Sequence, residues 1–103
     1  MSKIDYFPLE CKEVIDSIAL IIKKRRLDSN ARQSDVSEKV GVSVSTIRKI
    51  EAGDRNVEFG TMLHVLWQLG VLKDVITING AKLNKSELSS RRVRLPSVDV
   101  EDF

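Results

Sequence analysis

The segment 44–49 contains four side chains suited to noncovalent recognition of DNA bases. Arg48 and Lys49 can donate hydrogen bonds to the O6 and N7 atoms of guanine, and Arg48 could bind a phosphate instead. Val44 can contact the methyl group of a thymine, whereas Ser45 can donate or accept and discriminates weakly. This chemistry needs a helix that presents the four side chains to one groove.

The surrounding segment 33–50 predicts two short helices that cross at a tight turn. Val36 and Val40 lie one turn apart on the first helix, and Ile47 and Ile50 are on one face of the second. Gly41, between them, can end the first helix with a positive φ at no steric cost. The pattern predicts a helix-turn-helix whose second helix can enter a major groove.

Polar residues near the helix ends are candidates for contacts with the DNA backbone. Gln33 and Ser43 stand at helix N-termini, where backbone N–H groups favour a phosphate, and Ser43 can also cap its helix. Arg32, Arg55 and Asn56 suit flanking phosphates. A run of charge alone is typical of any solvated helix face, so the coincidence with the two-helix pattern is what favours DNA.

Apolar periodicity predicts four helices and one additional helical turn along the chain. The first and fourth helices should each bury an apolar stripe. The predicted helices cover about 8–27, 32–40, 44–51 and 58–69, with a further turn at 71–74. The predicted stripes are Cys11, Val14, Ile15, Ile18, Ile21 and Ile22 on the first helix, and Phe59, Met62, Leu63, Val65, Leu66 and Leu69 on the fourth.

The β-branched run Val75–Ile78 predicts a short strand, because it is followed by the turn signal Asn79-Gly80. A lone strand needs a partner, which is either 81–83 in a small hairpin or the same strand of a second subunit. The predicted organisation is a flexible arm (1–7), a DNA-binding domain (8–76), a dimerising strand (75–83) and a flexible tail (84–103), basic and then acidic.

Composition predicts one soluble domain in a reducing cytoplasm. The chain has 103 residues, 42% of them hydrophobic, a net charge of +2 and a single cysteine, so it cannot form an internal disulfide. No apolar run is long enough to cross a bilayer. One histidine and one cysteine do not make a standard zinc site, and no catalytic constellation stands in a recognisable context. We therefore expect neither an enzyme nor a cofactor.

Segment 14–75 resembles the Xre family of small helical repressors, which includes the lambdoid phage repressors. In that family an arginine of the first helix pairs with a glutamate, matched here by Arg26 and Glu51, and the pair would brace the recognition helix. Residues Asn30, Arg32 and Ser37 stand where the family usually has glycine, threonine and alanine. The motif positions that match are Gln33, Val36, Gly41, Val42, Ser43, Ile47, Ile50, Glu51 and Gly53.

The resemblance implies an all-α, compact four- to five-helix, lambda-repressor-like DNA-binding domain. It places Val44, Ser45, Arg48 and Lys49 at the bases. One such domain contacts few base pairs, so a homodimer on an inverted-repeat operator is expected. The candidates for the dimer interface are Trp67, Val75, Ile76 and Ile78, although a tryptophan in the position of Trp67 more often belongs to the core or to partly buried packing.

A weaker resemblance concerns residues 63–78, LHVLWQLGVLKDVITI, which are similar to HipB-like antitoxins. It implies a type II toxin–antitoxin system with a HipA-like kinase toxin as partner and autoregulation of the operon. The alternative is a stand-alone phage-like or chromosomal repressor. The basic cluster Arg91–Arg94 also resembles arginine-rich peptides that fold on RNA, although a phosphate-binding arm is the simpler interpretation.

Overall fold

The computed structural model describes residues 6–78, which form five helices. Each helix begins and ends within one residue of its predicted bounds, and the described residues contain no strand, so the all-α prediction is confirmed. No helix in this part of the chain is long and apolar enough to span a membrane. The helices are α1 (Leu9–Asp28), α2 (Gln33–Val40), α3 (Val44–Glu51), α4 (Phe59–Gln68) and α5 (Leu72–Val75).

The turn between α2 and α3 has the geometry that the sequence predicts. Gly41 has φ 85° and ends α2 in the left-handed conformation. The N–H groups of Gly41 and Val42 both donate to the Ser37 carbonyl oxygen, at 2.8 and 3.0 Å. Ser43 then begins α3, because its hydroxyl oxygen accepts from the Thr46 N–H at 3.2 Å. These bonds satisfy terminal backbone groups of both helices and fix their crossing.

The core lies where α2, α3 and α4 meet the second half of α1. Ile22 of α1 and Ile47 and Ile50 of α3 are completely buried. Val65 and Leu66 of α4 are equally inaccessible. The inner face of α3 is therefore fixed by packing, and its outer face is left for other contacts. The remaining members of the core cluster are Val36, Val40, Leu69 and Val71.

Two predicted stripes are only partly buried. On α4, Phe59 is 69% exposed, because it is the first residue of the helix. On α1, the stripe is buried at Ile22, whereas Cys11, Val14 and Ile21 remain exposed. In the described chain the single turn of α5 covers this end of α1 incompletely. Periodicity identified the apolar face of α1 correctly but overestimated how much of it is covered.

The strand predicted at 75–78 does not form within the single chain. Val75 is the last residue of α5, and the Ile76 N–H still donates to the Leu72 carbonyl oxygen at 2.8 Å. The backbone becomes extended only at Ile76. Pairing of 76–78 with a second subunit stays a prediction, and the proposed hairpin partner 81–83, the arm residues 1–5 and the tail 84–103 lie outside the described residues.

Gly41→Ala should lower the free energy of unfolding by about 1–2 kcal/mol, the cost of a left-handed non-glycine residue. The added methyl group meets no atom within 4 Å, so the effect isolates the backbone conformation. Gly60→Ala is the matched control, since Gly60 lies inside α4 and its added methyl group also has open space. We expect Gly60→Ala to stabilise the domain by about 0.5–1 kcal/mol. Urea unfolding of both variants tests this; equal effects would contradict the assigned turn geometry.

Candidate nucleic-acid interface

A buried ion pair joins α1 to the end of α3. The Arg26 guanidinium donates from Nε to Glu51 Oε2 at 2.6 Å and from Nη2 to Glu51 Oε1 at 3.0 Å. Its Nη1 donates to the Ala31 carbonyl oxygen at 2.9 Å. The two side chains are only 9% and 5% exposed. The residues that the resemblance pairs thus lie in bidentate contact, and the same guanidinium also holds the connection between α1 and α2.

Gln33 is a third member of this cluster. Its amide Nε2 donates to Glu51 Oε1 at 3.0 Å. The sequence suggested a phosphate contact for Gln33, but in the structure one of its amide hydrogens is engaged by the carboxylate. Arg26, Gln33 and Glu51 therefore tie α1, α2 and α3 together, and we call them the brace.

The brace keeps Glu51 ionised. Burial would raise the pKa of Glu51, but the hydrogen bonds from Arg26 and Gln33, with the charge of Arg26, outweigh burial and lower it. The hydrogen bond to Glu51 raises the pKa of Arg26. Such a pair fixes orientation more than it adds net stability, because desolvation offsets much of the attraction.

The outer face of α3 is open to solvent. Ser45, Arg48 and Lys49 are exposed, whereas Val44 is half-buried. Ile47, which precedes Arg48, and Ile50, which follows Lys49, fill the core, so the outer side chains cannot turn inward without breaking the packing. Three of the four predicted base-contacting residues are thus fully exposed on α3.

A cationic hollow of about 570 Å³ lies beside the brace. Arg48 lines it from α3, and Lys23 lines it from α1. Arg32 also lines it, although its guanidinium lies 3.4 Å from the Asp35 carboxylate, whose pKa is lowered by the Arg32 backbone N–H and side chain. Lys23 is a site residue that was not predicted from the sequence, although its position three residues before Arg26 puts it on the same side of α1.

A second hollow, of about 360 Å³, lies on another side of α3. Lys49, Ser43 and Asn56 line it, together with Thr46, whose hydroxyl lies 3.1 Å from that of Ser43. Arg48 and Lys49, although adjacent in sequence, thus border different surfaces. The first surface is dominated by cations, whereas the second combines neutral hydrogen-bonding groups with one cation, Lys49, and one carboxylate, Glu58.

The loop after α3 is held by its own contacts. The Arg55 guanidinium lies over the ring of Phe7, 4.7 Å from its centroid, so the segment before α1 is packed against this loop. The Asn56 N–H donates to the Asp54 carboxylate at 2.7 Å, which leaves the Asn56 side chain exposed. Arg55 is therefore tied to Phe7 in this structure, whereas Asn56 joins the Lys49 hollow.

The predicted dimer residues fall into two groups. Trp67 and Ile78 are 63% and 65% exposed, so neither serves the core of the single chain. Val75 and Ile76 are half-buried and pack against the core. His64 is exposed beside Trp67, with ring centroids 6.0 Å apart.

Comparison with known proteins gives one match. Residues 22–63 match the helix-turn-helix family. No curated protein and no solved structure gives a significant match. The matched segment includes the brace, every residue that lines the two hollows, and the whole of α2 and α3. This match supports a DNA-binding transcription regulator.

Glu51→Gln should lower the free energy of unfolding by about 3 kcal/mol at neutral pH, because it leaves the Arg26 charge buried without a counterion. The carboxylate pKa is lower in the folded chain than in the unfolded chain. The pair therefore contributes fully above the unfolded-state pKa, and its contribution is lost as the pH falls through the folded-state pKa. Urea unfolding should thus show the wild type approaching Glu51→Gln in acid.

The double variant Arg26→Met, Glu51→Leu is the control, since it removes both charges at similar volume. We expect its stability to lie within about 1 kcal/mol of the wild type or above it. A single variant as stable as the wild type at neutral pH would contradict the brace.

Proposed function

We propose that this chain, whose residues 22–63 form a helix-turn-helix domain, is a repressor that binds an inverted-repeat operator in double-stranded DNA as a homodimer. One observation carries the proposal. The outer face of α3 is exposed while its inner face is packed and braced, so that the helix is presented in a fixed orientation. A rigid, exposed, cationic helix is what reading a major groove requires.

In this proposal the N-terminal end of α3 enters the major groove. Ser45 lies near the bases, and Val44, which is half-buried, contributes at most the edge of its side chain to a thymine methyl group. Lys49 supplies the main base contact, because no second cation lines its hollow to attract a phosphate, and one of the lining residues, Glu58, carries a carboxylate. Ser43 and Asn56 on the same hollow suit the neighbouring backbone.

Arg48 is better suited to a phosphate than to a base. It shares a hollow with Lys23 and Arg32, and only one carboxylate, already neutralised by Arg26, lines the same space. Clustered cations repel one another in the free protein, and a polyanion relieves that repulsion. The geometry therefore favours a backbone role for Arg48, with Arg32 and Lys23 beside it.

These roles predict that substitutions of the neighbouring residues Arg48 and Lys49 affect DNA binding differently. Lys49→Ala should weaken binding to a selected duplex by about 1–3 kcal/mol and leave binding to a random duplex nearly unchanged. Arg48→Ala should weaken both, because a phosphate contact carries no sequence information, and it should reduce the salt slope by about one. Gel-shift titrations at several salt concentrations measure both quantities.

Lys24→Ala is the matched control, since Lys24 is exposed on α1 and paired with Asp28. It should change neither affinity appreciably. Unaltered binding by both Lys49→Ala and Arg48→Ala would contradict the docking of α3.

The homodimer is supported by the exposed apolar residues that follow the helix-turn-helix. Trp67 and Ile78 lie on or beyond α4 and have no use in the core of one chain. The backbone at Ile76 is already extended, so residues 76–78 can pair with their counterpart without unfolding α5. A strand pair between subunits would bury the Ile78 side chain and satisfy the edge of each strand.

Ile78→Lys should convert the protein from dimer to monomer, because it puts a charge in place of an apolar side chain that the proposed strand pair buries. Thr77→Lys, an exposed neighbour on the opposite side of an extended chain, is the control and should leave the dimer intact. Analytical ultracentrifugation measures the masses. A monomeric wild type at micromolar concentration would contradict this part of the proposal.

The further role that we propose is that of an antitoxin, in which the repressor also binds a HipA-like kinase toxin. It is supported by the likeness of residues 63–78 to HipB-like antitoxins, and the alternative is a repressor without a toxin. Co-expression with the product of the adjacent gene tests it. Co-elution, and relief of that product's toxicity, is the expected result; separate elution would favour the stand-alone repressor.

A further inference from the structure

A groove between the first half of α1 and α5 shares no lining residue with the DNA-binding surface. Its volume is about 870 Å³. Val14 and Ile21 on its α1 side are 57% and 41% exposed, so no described part of the chain covers them. An uncovered apolar face of this kind typically marks a site of interaction. The apolar lining comprises Val14, Ile15, Ile18, Ile21, Val75 and Ile76.

The acidic residues that line the groove indicate what kind of segment can bind there. Glu10, Glu13 and Asp74 line it, and none of its described lining residues is basic. In a two-fold symmetric contact the same patch would meet itself, and these carboxylates would lie opposite one another. The groove therefore disfavours a second copy of itself, as distinct from the proposed backbone pairing of 76–78, and favours a segment that is both apolar and cationic.

The chain carries such a segment beyond the last described residue. Arg91-Arg92-Val93-Arg94-Leu95 combines three guanidinium groups with two apolar side chains. The described part of the chain also ends close to the groove, since Ile76 lines it and Ile78 is the last described residue. The twelve residues 79–90 can span up to about 40 Å, which exceeds the length of α1, about 30 Å.

We propose that Arg91–Leu95 docks in the α1–α5 groove of its own chain. Val93 and Leu95 would cover the apolar walls, and the long arginine side chains would reach the carboxylates at the rim. Docking would occupy cations that could otherwise bind DNA phosphates, so the two uses of the segment compete. The proposal rests on the groove and its charges and does not depend on the proposed DNA-binding function.

Disulfide trapping in the full-length chain tests the proposal, because Cys11 is exposed, lines the groove and is the sole cysteine of the sequence. Val93→Cys should form an intramolecular disulfide with Cys11, with oxidised glutathione as oxidant, about tenfold faster than Ser86→Cys. An undocked tail predicts the reverse order by about two- to threefold, because position 86 is tethered by the shorter segment. Non-reducing gels separate the products.

Charge reversal supplies the matched control. Glu10→Lys with Glu13→Lys should reduce the Val93→Cys rate at least to that of Ser86→Cys, whereas Glu38→Lys, exposed on α2 outside the groove, should leave it unchanged. Thermal unfolding establishes that each variant is folded. The proposal is overturned if Ser86→Cys reacts as fast or faster, if charge reversal has no effect, or if only disulfides between chains form.

Discussion

The rest of the site depends on the buried contact of Arg26 and Gln33 with Glu51. It is the place where α1, α2 and the end of α3 meet through hydrogen bonds rather than through apolar packing. Apolar packing fixes the inner face of α3, and the bidentate ion pair, which accepts one geometry, adds a directional constraint at the end of the helix. Its net stabilisation is small because burial of two charges is costly, so its value lies in orientation.

Orientation matters because Arg48 and Lys49 border two different surfaces of α3. Arg48 stands in a cationic hollow with Lys23 and Arg32, and Lys49 stands in a polar one with Ser43 and Asn56. A rotation of the helix by one residue, about 100°, would bring one of these side chains to the place of the other. In the proposed docking, the brace therefore helps to determine which of the two side chains meets a phosphate and which meets a base.

Local rules predicted the helices, but they could not predict what covers each helix. Gly41 and Ser43 determine their turn through backbone conformation and capping, which act within a few residues. The exposure of Phe59, the contact of Gln33 with Glu51 and the place of Lys23 depend on which helices lie side by side. Periodicity identifies the apolar face of a helix, but it does not show how much of that face a neighbouring element covers. For this reason the first half of α1 was predicted to be buried.

The central claim is that a homodimer presents two braced copies of α3 to DNA. The most direct test is to select, from a pool of random duplexes, the DNA that the full-length protein binds. The account predicts enrichment of an inverted repeat whose half-sites are centred about 10 bp apart or a multiple of that spacing. Each half-site should contain at least one invariant guanine for Lys49. Enrichment of an unrepeated site, or no enrichment over the starting pool, would contradict it.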